Sequence, residues 1–116
     1  MAEATILIVD DEPLILEEMA ELLGIEGYAV VSAESFDEAL ALVARHKNLR
    51  LVITDARMPG KSGFELVTCL QGRNLAFILL SGHLAFDFVT FGAVPILRKP
   101  IDITAFLHEV DAIMRR

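Results

Sequence analysis

The stretch Leu51-Val52-Ile53-Thr54-Asp55-Ala56-Arg57-Met58-Pro59-Gly60 decides the fold. A short apolar, β-branched run ends on a carboxylate, and Pro59-Gly60 then turns the chain. A strand this apolar is buried on both faces, which is the mark of a parallel sheet covered by helices. An aspartate that continues it belongs at the open, carboxyl edge of that sheet, where open α/β sheets take their ligands.

Upstream of this stretch, Thr5 to Val9 reads as a buried first strand that stops at Asp10-Asp11-Glu12. Pro13 suits the first turn of a helix. Leu14, Ile15, Met19, Leu22 and Leu23 then recur at helical spacing among Glu17, Glu18 and Glu21, until Gly24 and Gly27 end the helix. Tyr28 to Val31 is the second predicted strand. Ser35 and Glu38 have the spacing of a capping box, opening a helix that turns Phe36, Ala39, Leu40 and Val43 inward. Downstream, the pattern predicts a third helix over Gly63 to Leu70 and a fourth strand over Ala76 to Leu80. A short fourth helix is predicted over Leu84 to Phe91, followed by a fifth strand over Pro95 to Leu97. Asp102 caps a last helix with Phe106, Leu107, Val110 and Ile113 on its inner face. The order is strand–helix five times over. Strands joined by helical crossovers run parallel with right-handed connections, so the expected architecture is α/β, a doubly wound five-stranded parallel sheet in the order 2-1-3-4-5.

The 116 residues read as one domain, 1–116, with no repeat or linker. Hydrophobic residues make up 54%, which fits a sheet covered on both faces. Their longest runs fall far short of the roughly 18 residues needed to span a bilayer, and no basic leader opens the chain, so no membrane association and a cytoplasmic location are expected. The single Cys69 cannot form an internal disulfide and reads as a small buried hydrophobe of the third helix; His46 and His108 read as surface residues. The net charge of −7 argues against direct binding of nucleic acid and suits the holding of a cation. Nothing after Arg116 reads as an output region, so either a stand-alone protein or a piece of a longer one is expected.

Four of the strands end on polar groups: Asp10 and Asp11 after the first, Asp55 after the third, Ser81 after the fourth, Lys99 after the fifth. Parallel strands put all those ends on one side. With strands one and three adjacent, three carboxylates converge, and such like charges call for a cation. Mg2+ suits the set, since it takes oxygen ligands and keeps sites for water or phosphate oxygens. A hydroxyl and an ammonium opposite the metal leave room for a tetrahedral dianion.

Ile8-Val9-Asp10-Asp11-Glu12, Thr54-Asp55-Ala56-Arg57-Met58-Pro59-Gly60 with Gly63, Leu80-Ser81-Gly82-His83 and Lys99-Pro100 stand in order, each at its own strand end. In these pieces the whole chain resembles a response-regulator receiver domain, a flavodoxin-like (βα)5 fold of two-component signalling. The resemblance implies a phospho-acceptor switch: Asp55 would take a phosphoryl group from a phosphohistidine of a sensor histidine kinase or a histidine phosphotransfer protein. It implies Mg2+ on Asp11 and Asp55, with Asp10 acting through water and the backbone carbonyl of Arg57 completing the ligands. Ser81 and Lys99 would bind phosphoryl oxygens, and Lys99-Pro100 would be a cis peptide. The side chains of Arg57 and His83 would tune the lifetime of the aspartyl phosphate. The first helix with the loop after the fifth strand would meet the kinase. The face of the fourth helix, fifth strand and last helix would signal to an output domain or target protein, and is apolar enough for a homodimer.

The sequence departs from that pattern at the switch. An aromatic residue commonly stands three positions before the lysine, where this chain has Ile96. The predicted fourth helix carries Phe86, Phe88 and Phe91, the last two where small residues are usual, so a phenylalanine of that helix is expected to fill the space, with Ser81, Ile96, Phe88 and Phe91 forming the switch region. The competing function is a pseudo-receiver, an interaction module that works without phosphorylation. A flavodoxin-like cofactor binder or a hydrolase lacks support, because acids rather than a glycine-rich phosphate loop follow the first strand.

Overall fold

In the computed structural model, residues 4–58, 60–82 and 90–115 are described. The elements follow in the order β1 (Ile6–Val9), α1 (Pro13–Ile25), β2 (Val30–Ala33), α2 (Phe36–Arg45), β3 (Leu51–Asp55), α3 (Gly63–Leu70), β4 (Ala76–Ser81), β5 (Thr90–Phe91), β6 (Val94–Arg98) and α4 (Ile103–Met114). The sheet order is β2-β1-β3-β4-β6-β5. Its five parallel strands, counted among themselves, stand 2-1-3-4-5, as the sequence pattern requires.

Alternation along the buried strands divides the core in two. Leu7, Val9, Val52 and Leu79 point to one face, where Ala39, Leu42 and Val43 of α2 and Leu66, Val67 and Leu70 of α3 cover them. Ile6, Ile8, Leu51, Ile53, Ile78 and Leu80 point to the other, under Leu16, Met19 and Leu23 of α1 and Phe106, Val110 and Ile113 of α4. Phe36, Leu40 and Leu107 lie partly buried at the margins of these clusters.

Local signals account for most boundaries. Pro13 stands at the first position of α1, with Glu12 at its N-cap. Gly24 lies inside α1, and the turn comes at Gly27, whose φ of +93° only glycine adopts readily. β2 starts two residues later than the pattern suggests, and Tyr28 instead donates its phenol to Asp111 of α4. Ser35 accepts from the Glu38 amide. The reciprocal capping box, with both hydrogen bonds made, forms at α3 between Ser62 and Glu65. Asp102 accepts from Ala105 N and caps α4.

Two expectations are corrected. Cys69 is exposed, because α3 buries Gly63, Leu66, Val67 and Leu70 and position 69 falls off that stripe. Phe91 belongs to a strand, not to a helix. Thr90 and Phe91 pair antiparallel with Pro95 and Val94 across Gly92-Ala93, Gly92 having a φ of +60°. β-Branched and aromatic residues favour an extended edge, and β6 offers an unpaired one there. The other residues of the predicted fourth helix, among them Phe86 and Phe88, lie outside the described residues.

Phe106 is fully buried against the strands of the α1 and α4 face. Phe106→Ala is expected to lower the unfolding free energy by about 3–5 kcal/mol, which denaturant melts followed by circular dichroism measure.

Candidate functional site

The parallel register brings the site together. Val9 stands beside Thr54 in the β1–β3 pair, so Asp10 follows directly alongside Asp55. Ser81 stands beside Arg98 in the β4–β6 pair, which puts Lys99 at the same edge, with Lys99 N donating to Ser81 O at 2.8 Å. β4 lies between β6 and β3, and the long stem of Lys99 spans its end to reach the acids.

Asp10, Asp11 and Asp55 form a cluster in which one carboxylate oxygen of each lies within 4.8 Å of the others. Asp10 is fully buried, Asp55 is 9% exposed, and Asp11 faces solvent. Lys99 Nζ donates to Asp10 Oδ2 at 3.0 Å and to Asp55 Oδ2 at 3.2 Å. The second oxygens are held by main chain: Glu12 N donates to Asp10 Oδ1 at 2.9 Å and Arg57 N to Asp55 Oδ1 at 3.2 Å. Asp10 therefore does not cap α1 by itself; it uses the N-cap amide to fix its own orientation. Ser81 is buried at the end of β4, and Lys99-Pro100 is a cis peptide.

Burial pushes the Asp55 carboxyl above its ordinary value of 3.8, and the Arg57 amide and the Lys99 ammonium offset this only in part. Burial acts to lower Lys99, yet Asp10 and Asp55 outweigh it and hold the ammonium above its usual 10.5. Lys99 is shared between two acids, which together outweigh its burial, whereas Asp55 stays raised because its own burial outweighs what the Arg57 amide and Lys99 give back.

The donor set fits Mg2+. It is all oxygen, carries more negative charge than Lys99 neutralises, and keeps Asp11 open to solvent. Ile96 is buried in the α2 and α3 face, and the Arg57 side chain is exposed. His83 and Phe88 lie outside the described residues. Next to Asp55, Thr54 is fully buried and its hydroxyl donates to Asp55 O at 3.1 Å, and at the loop before α3 the Lys61 ammonium lies 4.6 Å from the centre of the Phe36 ring. The Ser62-x-x-Glu65 spacing was the readable signal for the helix start beside them.

The chain as a whole is similar to known proteins. Residues 6–111 match the model of the response regulator receiver domain family. Similar curated proteins include the transcriptional regulatory protein FixJ of Azorhizobium caulinodans, 36% identical over 94% of this chain and 54% of that protein. FixJ of Rhizobium meliloti is 32% identical over 96% of this chain and 57% of that protein. The chain thus spans about half the length of these relatives. Among solved structures, a response regulator receiver domain protein from Clostridium thermocellum has a TM-score of 0.83 at 34% identity, covering 97% of this chain and 95% of that one. The response regulator TrrA of Thermotoga maritima, in complex with Mg2+ and BeF, has a TM-score of 0.83 at 32% identity, covering 95% and 98%.

The chain belongs to the response regulator receiver domain family, a family of signalling regulators of two-component systems. Among its described residues, no helix is long and apolar enough to cross a membrane.

The raised Asp55 value sets a pH dependence. A carboxyl whose folded pKa lies above its unfolded one favours the folded state when protonated, so its contribution turns unfavourable as pH rises from about 3.8 through the folded value. Without divalent cations, Asp55→Asn is expected to be more stable than the wild type at pH 7, with the difference closing below pH 3.8. Melts from pH 3 to 7 read this.

Proposed function

We propose that this chain is a phospho-acceptor switch in which Asp55 receives a phosphoryl group from a phosphohistidine. The observation that supports this most is the Lys99 ammonium spanning Asp10 and Asp55 beside the exposed Asp11. Phosphoryl transfer asks a protein mainly for positioning and for neutralising charge on the equatorial oxygens. Asp55 supplies the attacking oxygen, already oriented by the Arg57 amide. As the new P–O bond forms, the P–N bond of the donor breaks, and the departing nitrogen keeps the electron pair, leaving a neutral imidazole whose other nitrogen already carries the proton. Asp10, Asp11, Asp55 and the Arg57 carbonyl are the residues to hold Mg2+, which would supply charge neutralisation at the phosphoryl oxygens. Lys99 and Ser81 bind those oxygens. Arg57 and His83 are the side chains proposed to set how fast the aspartyl phosphate decays. An interaction module independent of phosphorylation would have no need for a buried, paired Asp10 or for a lysine stretched across a strand end.

A phosphohistidine donor needs a surface beside the site. A groove of about 560 Å³ runs between α1 and the start of α4, with Lys99 and Pro100 at one end. Ile15, Leu22, Ile25 and Ile103 make its walls apolar, and Glu18 and Glu21 rim it. Ile25 is 75% exposed and Ile103 56%, a large apolar area left to water. An amphipathic helix with basic flanks, presenting its phosphohistidine toward Lys99, fits this surface.

With acetyl phosphate and Mg2+, intact-protein mass spectrometry is expected to show one added phosphate that is absent from Asp55→Asn; phosphate remaining in that variant would refute Asp55 as acceptor. Ile25→Glu and Ile103→Glu are expected to slow transfer from a histidine phosphotransfer protein about tenfold each, in line with loss of an apolar interface anchor. Phosphorylation by acetyl phosphate should stay at the wild-type rate in both, because a small donor needs no docking surface.

A further inference from the structure

The two peptide groups that follow Asp55 are both held by hydrogen bonds. Ala56 N donates to Leu80 O at 2.7 Å, and Ala56 O accepts from Gly63 N at 3.0 Å. The carbonyl oxygen of Asp55 itself accepts the fully buried Thr54 hydroxyl at 3.1 Å. The first residue of α3 closes on the same oxygen. A Cβ built on Gly63 would stand 2.1 Å from Asp55 O, 3.0 Å from Asp55 C and 3.1 Å from Ala56 Cα. All three are main-chain atoms, so no flexible side-chain end can move aside. Gly63 does not need its glycine for a left-handed turn, since it is absent from the positive-φ residues; it needs the space.

We infer that Thr54 and Gly63 are positioning residues that hold the main-chain carbonyl of Asp55, one from the strand and one from the helix, and so aim the acceptor carboxylate. The inference rests on Asp55 being the acceptor. The carbonyl lies one bond from Cα of Asp55 and one peptide ahead of the amide that holds Oδ1. Rotation of that peptide would swing the carboxylate away from Lys99 and carry the Arg57 main chain with it. The Ser62–Glu65 capping box anchors the start of α3, and hence Gly63, independently of the site. Displacements on the order of 1 Å at a reacting atom cost about a hundredfold in rate.

Thr54→Val is isosteric and removes only the hydroxyl, while Thr54→Ser restores it. Phosphorylation of Asp55 by acetyl phosphate is followed at saturating Mg2+, at a temperature where circular dichroism shows each variant folded. Thr54→Val is expected to lower the maximal rate about tenfold, Thr54→Ser to stay within about twofold of wild type, and Gly63→Ala to fall about a hundredfold. In the metal-free protein, hydrogen exchange at the Ala56 and Arg57 amides should quicken in Thr54→Val and not in Thr54→Ser. A purely structural role would lower the melting temperature of Thr54→Val without this separation. Wild-type rates and exchange in Thr54→Val, or equal losses in Thr54→Val and Thr54→Ser, overturn the inference for Thr54. A folded Gly63→Ala at the wild-type rate overturns it for Gly63. If wild-type protein gains no phosphate on Asp55, the acceptor reading fails and the positioning role falls with it.

Discussion

The ammonium of Lys99 is the constraint on which the rest of the site depends. Asp10 is fully buried, and a buried carboxylate without a partner would be neutralised or expelled. Lys99 supplies that partner to Asp10 and to Asp55, while Glu12 N and Arg57 N take the remaining oxygens. Burial nevertheless holds the Asp55 carboxyl above its ordinary value, because the Arg57 amide and Lys99 offset it only in part. A site in that condition is ready for a cation and is not closed around one.

Position comes from the sheet. Because β1, β3, β4 and β6 run parallel in adjacent register, their carboxyl ends deliver Asp10, Asp55, Ser81 and Lys99 to one edge without any help from loops. Loops and helix starts do the finer work. The first turn of α3 is anchored by its own capping box and lies against the Asp55 carbonyl, so a helix that contributes no side chain to the acid cluster still borders it. The exposed apolar groove between α1 and α4 includes Lys99 and Pro100 in its lining, so it opens beside the same edge.

The far side of the sheet departs from simple alternation of strand and helix. β5 pairs antiparallel on the outer edge of β6 and covers main-chain groups that a parallel sheet would leave open. Ile96 is buried in the same strand that β5 covers, packed in the face shared with Phe77 and Leu79. A branched aliphatic residue there fills core volume, a different task from that of a ring able to change rotamer.

The sequence by itself determined the five parallel strands, their order, the capped helices at Ser35 and Asp102, and the polar residues at each strand end. These are local matters: apolar periodicity, capping residues and the parallel-crossover rule do not depend on distant contacts. Tertiary structure alone decided the rest. That Lys99 is divided between two acids depends on strands 44 and 89 residues away in sequence, and the closeness of Gly63 to Asp55 O depends on how α3 packs. Phe91 read as helical because its neighbours are apolar at mixed spacing, but the free edge of β6 decided in favour of a strand. Cys69 read as buried because cysteine usually is; the face of α3 that packs carries Gly63, Leu66, Val67 and Leu70 and leaves position 69 outside it. Hydrogen-bond sharing and packing direction are properties of elements brought together, and no single stretch of chain encodes them.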